Sequence, residues 1–556
     1  MVQVMDHLTI KMADNCTVSK SDFIFEPSAV GKHTTTAVSL GTVTGIAIAV
    51  ALNIVLNLKC FTTKSAQIII RLDKKNLLRT LVLLVLVLML PVFIVLILFG
   101  RCYKFLCSII IRRKDKQFVR FLESFDVFWY LEGDSVINIL GTIESDSTEA
   151  LVENMKHKLE ILIHNKTSDK IFYRKHEEYG FFYWRKNDFI DVSEYVEILD
   201  LPDQCELSET DLEDIMADVS TKPLPYNDEG LFKILITKQR VTIDHNTKEE
   251  HGIIFRIHHS VGDGFALIEF LCESLADNGQ SHKNAINLSE FRNSETPDEL
   301  FNVIRKLCDI PLCFADLVLR KPDENSLHGP PMLGQKHFKW TKSDENLLVM
   351  VKEIKDNVGL NFSDVIATAV AGGLRNYFDK TIAHVPDDVA VIIPVRYPSS
   401  APFKNGRNRL NNDFTVTMFD LPVKEHKNLS TIKNRFADFR LNNEYLANYY
   451  IIQLASIFPK EILKPIFFSS QATLTLSNMP GPDVLSICGS TLKKMVFFLP
   501  LKGISGVGVS AFCYGGVLRL AVSADAALVS KADDLDYILQ GMVDEIRRMH
   551  VLYAKK

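Results

Sequence analysis

Thr80 to Phe99 is an uncharged run of mostly Leu, Val and Ile, interrupted by Pro91, and it divides the chain before any other feature is weighed. As a helix rising about 1.5 Å per residue it crosses ~30 Å of hydrocarbon, so it predicts a membrane segment. Ala37 to Leu58 also lacks charge and predicts a first transmembrane helix, with a buried soluble helix as the alternative because Thr and Gly crowd its first half. Before it, residues 1–36 are polar and show no signal-peptide pattern. The loop 59–79 is basic (Lys59, Lys64, Arg71, Lys74, Lys75, Arg79), and so is the far flank of the second run (Arg101, Lys104, Arg112, Arg113, Lys114). Basic flanks stay cytosolic. Two readings remain open: 80–111 is a hairpin bent near Pro91, with the sequon Asn15-Cys16-Thr17 lumenal, or both runs span plainly.

Beyond the apolar runs, 556 residues are too many for one ordinary core. Sixty-three Lys and Arg against 68 Asp and Glu leave a net charge of −5, which argues against a nucleic-acid partner. The ten cysteines form no CxxC pair, as expected for a reducing compartment. Cys60, Cys102 and Cys107 flank apolar segments and are candidates for palmitoylation, with free thiols as the plainer reading. From Gln117 onward strand-like and helix-like stretches alternate, which predicts an α/β fold. The polar, turn-rich run 321–336 divides a unit over 117–320 from one over 337–556, which receives the late strands Lys494–Phe498, Gly506–Cys513 and Val517–Ser523 and a closing helix over Asp533–Leu552.

One tight turn carries the chemistry. His258-His259-Ser260-Val261-Gly262-Asp263-Gly264 follows a strand-like run and precedes a helix-like one. Strand alternation sends adjacent side chains to opposite faces, so one histidine is free to take a proton and the other is structural. The plainer alternative is a surface turn with incidental histidines. Other chemistries lack their anchors. Gly503-Ile504-Ser505-Gly506 runs into Val507, so there is no GxSxG elbow. Neither Walker A nor HExxH occurs, and adjacent histidines have poor metal geometry, so no metal is predicted.

With His258–Gly264 as HHxxxDG and Ser477-Asn478-Met479-Pro480-Gly481-Pro482 as SNxPGP, the sequence resembles the wax ester synthase/diacylglycerol acyltransferase family. Leu122-Glu123-Ser124-Phe125-Asp126, Ile393-Pro394-Val395-Arg396 and Asn361-Phe362-Ser363-Asp364-Val365 support it, and the resemblance covers about 117–552. It departs at two places: Ser363 stands where the family has Asn of Asn-Asp-Val, and Gly230-Leu231-Phe232 stands where it has Pro-Leu-Trp. The resemblance implies two chloramphenicol-acetyltransferase-like lobes with an active-site channel between them. It makes His259 the general base, Asp263 the support of the motif's geometry, His258 a structural residue and Gly264 the keeper of a close-packed turn. Ser477, Asn478 and Gly264 become substrate-binding candidates, with a structural turn role for Asn478 as the alternative. It further implies no cofactor, acyl-CoA as co-substrate, a fatty alcohol or diacylglycerol as acceptor, and membrane lipid as partner. The endoplasmic reticulum is the expected membrane, with plasma membrane or lipid droplet as alternatives and the catalytic domain facing the cytosol. Two rival classes stand beside it: a non-catalytic lipid-binding or tethering protein, and a condensation-type enzyme using carrier-bound acyl groups.

Overall fold

The computed structural model describes residues 74–554 apart from 132–134, 166–168, 202–204, 243–248, 278–310, 312, 343–345, 397–409, 442 and 468–470. The segments expected over 1–36 and 37–58, and most of the basic loop, lie outside the described residues. Lys74–Lys114 is one continuous helix, α1, with Pro91 inside it. This corrects the hairpin reading of 80–111: a proline inside a helix removes one backbone bond and can kink the axis, but it need not reverse the chain. The stretch Leu88–Lys114 is long and apolar enough to cross a membrane. Leu88, Val95 and Phe99 project from it unpacked, each about two-thirds exposed (67%, 64% and 69%). At Gly100 the environment changes. A Cβ there would lie 3.0 Å from Phe458 and 3.1 Å from Ile457, Lys104 Nζ donates to the Ser456 carbonyl, and Cys107 and Ile111 are buried with Phe181 and Tyr183.

The first half continues as β1 (Phe118–Phe121), α2 (Ser124–Leu131), β2 (Val136–Glu144), α3 (Thr148–His164), β3 (Arg174–Glu178), β4 (Phe181–Arg185), β5 (Val196–Leu199), β6 (Glu206–Leu207), α4 (Glu209–Thr221), β7 (Phe232–Val241), β8 (Glu250–His258) and α5 (Gly264–Phe270). Side-chain caps start its helices: Ser147 accepts from the Ala150 N–H at the head of α3, and Ser208 and Asp211 form a reciprocal capping box on α4. Strand β8 is buried along its whole length between β2 and β7, antiparallel to both. That central position explains why Gly252–Ile257 reads as an apolar run with little alternation.

The second half holds β9 (Lys336–Trp340), α6 (Leu347–Val358), α7 (Phe362–Lys380), β10 (Asp388–Arg396), β11 (Phe414–Pro422), α8 (Leu429–Leu441), α9 (Glu444–Gln453), α10 (Lys460–Ile466), β12 (Leu474–Pro480), β13 (Leu485–Ile487), β14 (Ser490–Phe498), β15 (Val507–Tyr514), β16 (Val517–Asp525) and α11 (Asp534–Tyr553). Six strands form one mixed sheet in the order β11-β10-β12-β15-β16-β9. Helices α7 and α11 share its core. They touch through glycine: a Cβ on Gly373 would lie 2.5 Å from the Ile538 carbonyl, and one on Gly541 would lie 2.9 Å from the Gly373 Cα.

One late strand departs from the linear division at 321–336. β14 does not join this sheet; it pairs antiparallel with β2, Val496 opposite Leu140, and with β13 completes a seven-stranded sheet, β13-β14-β2-β8-β7-β5 with β6 on β7. The physical reason is that β2 offers a free antiparallel edge, and partner choice between strands hundreds of residues apart leaves no local trace in sequence. A small sheet, β1-β4-β3, sits where α1 docks.

Candidate active site

β8 ends at His258, and the backbone divides its bonds between two neighbours. His258 N–H donates to the Leu231 carbonyl and His259 N–H to the Ser135 carbonyl, both at 2.8 Å. The rings part accordingly. His258 stacks on Tyr130 with centroids 4.0 Å apart, and His259 stacks on Trp129 at 3.7 Å. His258 Nδ1 accepts from the Ser260 N–H at 3.2 Å and faces Ser260 Oγ at 2.8 Å. That occupies its lone pair within the turn. His259 is the histidine that lines the cavity described below.

His259 Nδ1 lies 3.2 Å from Asn412 Oδ1. The Asn412 amide nitrogen donates to Asp126 Oδ1 at 3.0 Å and to the His259 carbonyl at 2.9 Å. Lys170 Nζ sits 3.0 Å from Asp126 Oδ2 and donates to the Leu410 carbonyl at 3.0 Å. Asn412, Asp126 and Lys170 are all buried. Burial pushes the His259 imidazolium down to about 3, the positive charge of Lys502 adding to it and the hydrogen bonds to its own carbonyl and to Asn412 opposing it. Burial drives His258 well below the usual histidine range too, reinforced by Lys175. Asp126 is raised by burial, against the pull of Lys170 and Asn412.

Asp263 caps α5. Its Oδ1 accepts from the Ala266 N–H at 3.0 Å, and its Oδ2 accepts from the Asp413 N–H at 2.9 Å. A Cβ on Gly264 would lie 2.2 Å from Met479 Sδ, so the glycine allows α5 and the Ser477–Pro482 element to meet. Ser477 and Asn478 stand on β12, and Asn478 Nδ2 donates to Ser363 Oγ at 3.1 Å across to the first turn of α7. His259, Asp263, Gly264, Ser477 and Asn478 share the wall of one cavity of about 500 Å³. His258 does not line it.

The rest of that wall is largely apolar and comes from both large sheets: Ile137 and Ile139 on β2 and Phe497 on β14 face Ile392 on β10 and Val416 on β11. Ile451, Ile452, Ile466 and Phe467, on and just after α9 and α10, close one side. Lys502 brings a cation: its Nζ donates to the Phe128 carbonyl at 2.9 Å and lies 3.8 Å over the Phe128 ring. Among the described residues no three His, Cys, Asp or Glu are grouped to hold a metal.

Sequence reasoning did not assign Trp129, Asn412, Phe414, Lys170 or Lys502 to the site. Asp126 stood in a quoted motif without a role. The available signal for Asn412 was the cluster Asn411-Asn412-Asp413 just before a strand, which reads locally as a turn.

Residues 410–550 match the family model of the WS/DGAT C-terminal domain. No curated protein matches the chain in sequence. Among solved structures, the wax ester synthase/diacylglycerol acyltransferase from Marinobacter aquaeolei VT8 superposes with a TM-score of 0.51 at 15% identity, covering 77% of this chain and 99% of that one. The TRI3 trichothecene 15-O-acetyltransferase from Fusarium sporotrichioides gives 0.52 at 12%, covering 77% and 94%. The first condensation domain of the calcium-dependent antibiotic synthetase gives 0.50 at 14%, covering 79% and 98%. At such identities the superpositions speak for the α/β fold alone, which acyltransferases and condensation domains share. The matched domain speaks for the second half of the chain: residues 410–550 carry a WS/DGAT C-terminal domain.

Proposed function

We propose that this chain is a membrane-anchored O-acyltransferase that moves a long acyl group from acyl-CoA to a fatty alcohol or to diacylglycerol, with His259 as general base. The observation that carries the reading is an imidazole on the wall of an apolar cavity, its Nδ1 3.2 Å from an amide oxygen. An alcohol is a poor nucleophile at neutral pH. Nε2 takes its proton as the alcohol oxygen attacks the thioester carbonyl, and the collapsing intermediate expels CoA thiolate, which recovers that proton from the imidazolium. No covalent enzyme intermediate is needed. A general base contributes ~100- to 10,000-fold to such a step, and an apolar channel between the two sheets keeps water from competing with the alcohol.

The bare apolar part of α1 supports the membrane anchor. Residues 451–467 serve both structures: Ile457 and Phe458 rest against α1 at Gly100, while Ile451, Ile452, Ile466 and Phe467 line the cavity. Ile462 and Ile466 are more than half exposed beside them, at 51% and 63%. This geometry supports entry of a lipid acceptor at the level of the bilayer; we propose further, from the supply of acyl-CoA, that the catalytic domain stands on the cytosolic face of the endoplasmic reticulum.

The test uses membranes containing the full chain, labelled long-chain acyl-CoA, and hexadecanol or diacylglycerol. Acceptor-dependent CoA release with ester formation is expected, and His259→Ala should lower it at least ~100-fold at equal protein level. Ester formation unchanged by that substitution refutes the reading. Acyl-CoA bound but never transferred to any alcohol would favour the non-catalytic lipid binder.

A further inference from the structure

We infer that Asn412 is the positioning residue of this site: its amide, held one way round by Asp126 and the His259 carbonyl, obliges His259 to carry its proton on Nδ1 and present Nε2 as the base. The inference rests on the reading of His259 as base. It follows from donor and acceptor accounting. The Asn412 nitrogen has two hydrogens, and both are engaged, one on Asp126 Oδ1 at 3.0 Å and one on the His259 carbonyl at 2.9 Å. A carboxylate and a carbonyl accept only, so reversing the amide would set its oxygen against two acceptors. Oδ1 must then face the ring, and an oxygen 3.2 Å from Nδ1 requires a hydrogen there.

Lys170 completes the arrangement. A buried carboxyl tends to take up a proton, and as a neutral acid Asp126 could donate to the amide oxygen and release its orientation. The Lys170 ammonium, 3.0 Å from Oδ2, favours the ionised, accept-only form. The segment 410–413 is pinned at every residue: Leu410 O accepts from Lys170, Asn411 O accepts from the Asp263 N–H, and Asp413 N–H donates to Asp263. Asn412 is thus a strut from the second half of the chain onto a motif in the first. The charged and titratable groups around His259 are Lys502 over the Trp129 ring on which His259 stacks, His258 beside it in sequence, Asp263 on the α5 cap, and Asp126 behind the amide. The imidazole's own side-chain partner is neutral.

The test compares Asn412→Ala and Asn412→Asp in full-length protein, with kcat and KM for acyl-CoA followed from about pH 2.5 to 9, the acid points by brief pH-jump assays because the limb of the unaltered chain lies at about 3. Asn412→Ala should lower kcat by about 100-fold with KM changed less than about twofold; elsewhere a wrong tautomer costs as much as ~10,000-fold. Asn412→Asp keeps an acceptor for Nδ1, and its second oxygen, set against Asp126, requires the two carboxyls to share one proton; on those terms it should recover at least about tenfold of that loss. It also sets a carboxylate against the ring, so the acid limb of kcat/KM should rise by at least about one pH unit over that of the unaltered chain. A residue that only packs would shift melting temperature without moving that limb. If Asn412→Ala does not fold, Asp126→Asn reads the same strut and should lower kcat about tenfold at unchanged KM. Asn412→Ala, or in its place Asp126→Asn, with kcat within twofold of the unaltered chain overturns the inference, as does an acid limb that stays put in Asn412→Asp. An inactive His259→Ala beside a fully active Asn412→Ala would sink this inference alone, whereas an active His259→Ala removes the base itself.

Discussion

Replacing Asp263 separates a supporting carboxylate from one in the proton path. Asp263→Ala removes two contacts at once. Loss of the cap on the Ala266 N–H costs about 1 kcal/mol, and loss of the charge-assisted bond from the Asp413 N–H, left without that acceptor, costs about 1.5–3 kcal/mol. The sum is about 2.5–4 kcal/mol, a fall in melting temperature of roughly 2–3 °C for a chain of this size. Asp263→Ser restores the cap but is too short to reach Asp413, so it should recover about 1 kcal/mol. Thermal unfolding and ester formation are measured on the same preparations, with activity read well below the melting point. Activity of Asp263→Ser should stay within about tenfold of the unaltered chain, against a loss of ~100-fold or more for His259→Ala. A folded Asp263→Ser as inactive as His259→Ala would refute the supporting role and put the carboxylate on the proton's route.

Two further outcomes test the same geometry. In Gly264→Ala the new methyl meets the end of a flexible Met479, so folding should suffer by only about 1–3 kcal/mol, while the displaced thioether enters the cavity and raises KM for acyl-CoA. Adding Met479→Ala should restore both, and a double variant no better than the single one would contradict the contact. The depressed histidines also make stability depend on pH. An unfolded histidine takes up its proton near pH ~6.5, while native His259 waits until about 3. Its stabilising contribution is therefore complete above about 6.5 and is lost at about 1.4 kcal/mol per pH unit as pH falls towards 3. Urea unfolding at pH 7.5, 6 and 5 should show a shallower decline in His259→Gln, and parallel declines would refute the assignment.

What was legible in the sequence is what is local. His258 to Gly264 places a strand end, a turn and a helix cap within a few residues, so alternation could part the histidines, and the Asp263 cap follows from ordinary helix-start chemistry. The Ser477–Pro482 element was legible as a motif, while its contact with Gly264 was not, because the two stand more than two hundred residues apart. Asn412 lies 153 residues from His259 and Trp129 on another helix altogether, and neither has a sequence signature beyond its own turn or helix. Sheet membership failed at β14 for the same reason. The hairpin at Pro91 failed because charge on the flanks was weighed above the modest cost of a proline in a long apolar helix.

The low basicity of His259 agrees with its proposed work rather than opposing it. A base at about 3 is unprotonated throughout the neutral range, so every molecule begins the cycle able to accept a proton. Its imidazolium is correspondingly unstable: burial and Lys502 disfavour it, and the hydrogen-bond partner of Nδ1 is a neutral amide, with Asp126 one link further away. In a hydrolase triad a carboxylate contacts the imidazole and stabilises the cation. On the proposed mechanism the proton need not be stored, because the CoA thiolate that would accept it forms in the same cavity as the intermediate collapses. A neutral amide then does two things that a carboxylate in its place would not: it fixes which nitrogen is basic, and it leaves the proton easy to return. An Asn412→Asp variant with slower proton return to the leaving group and a slower kcat, despite its stronger base, is what this balance requires.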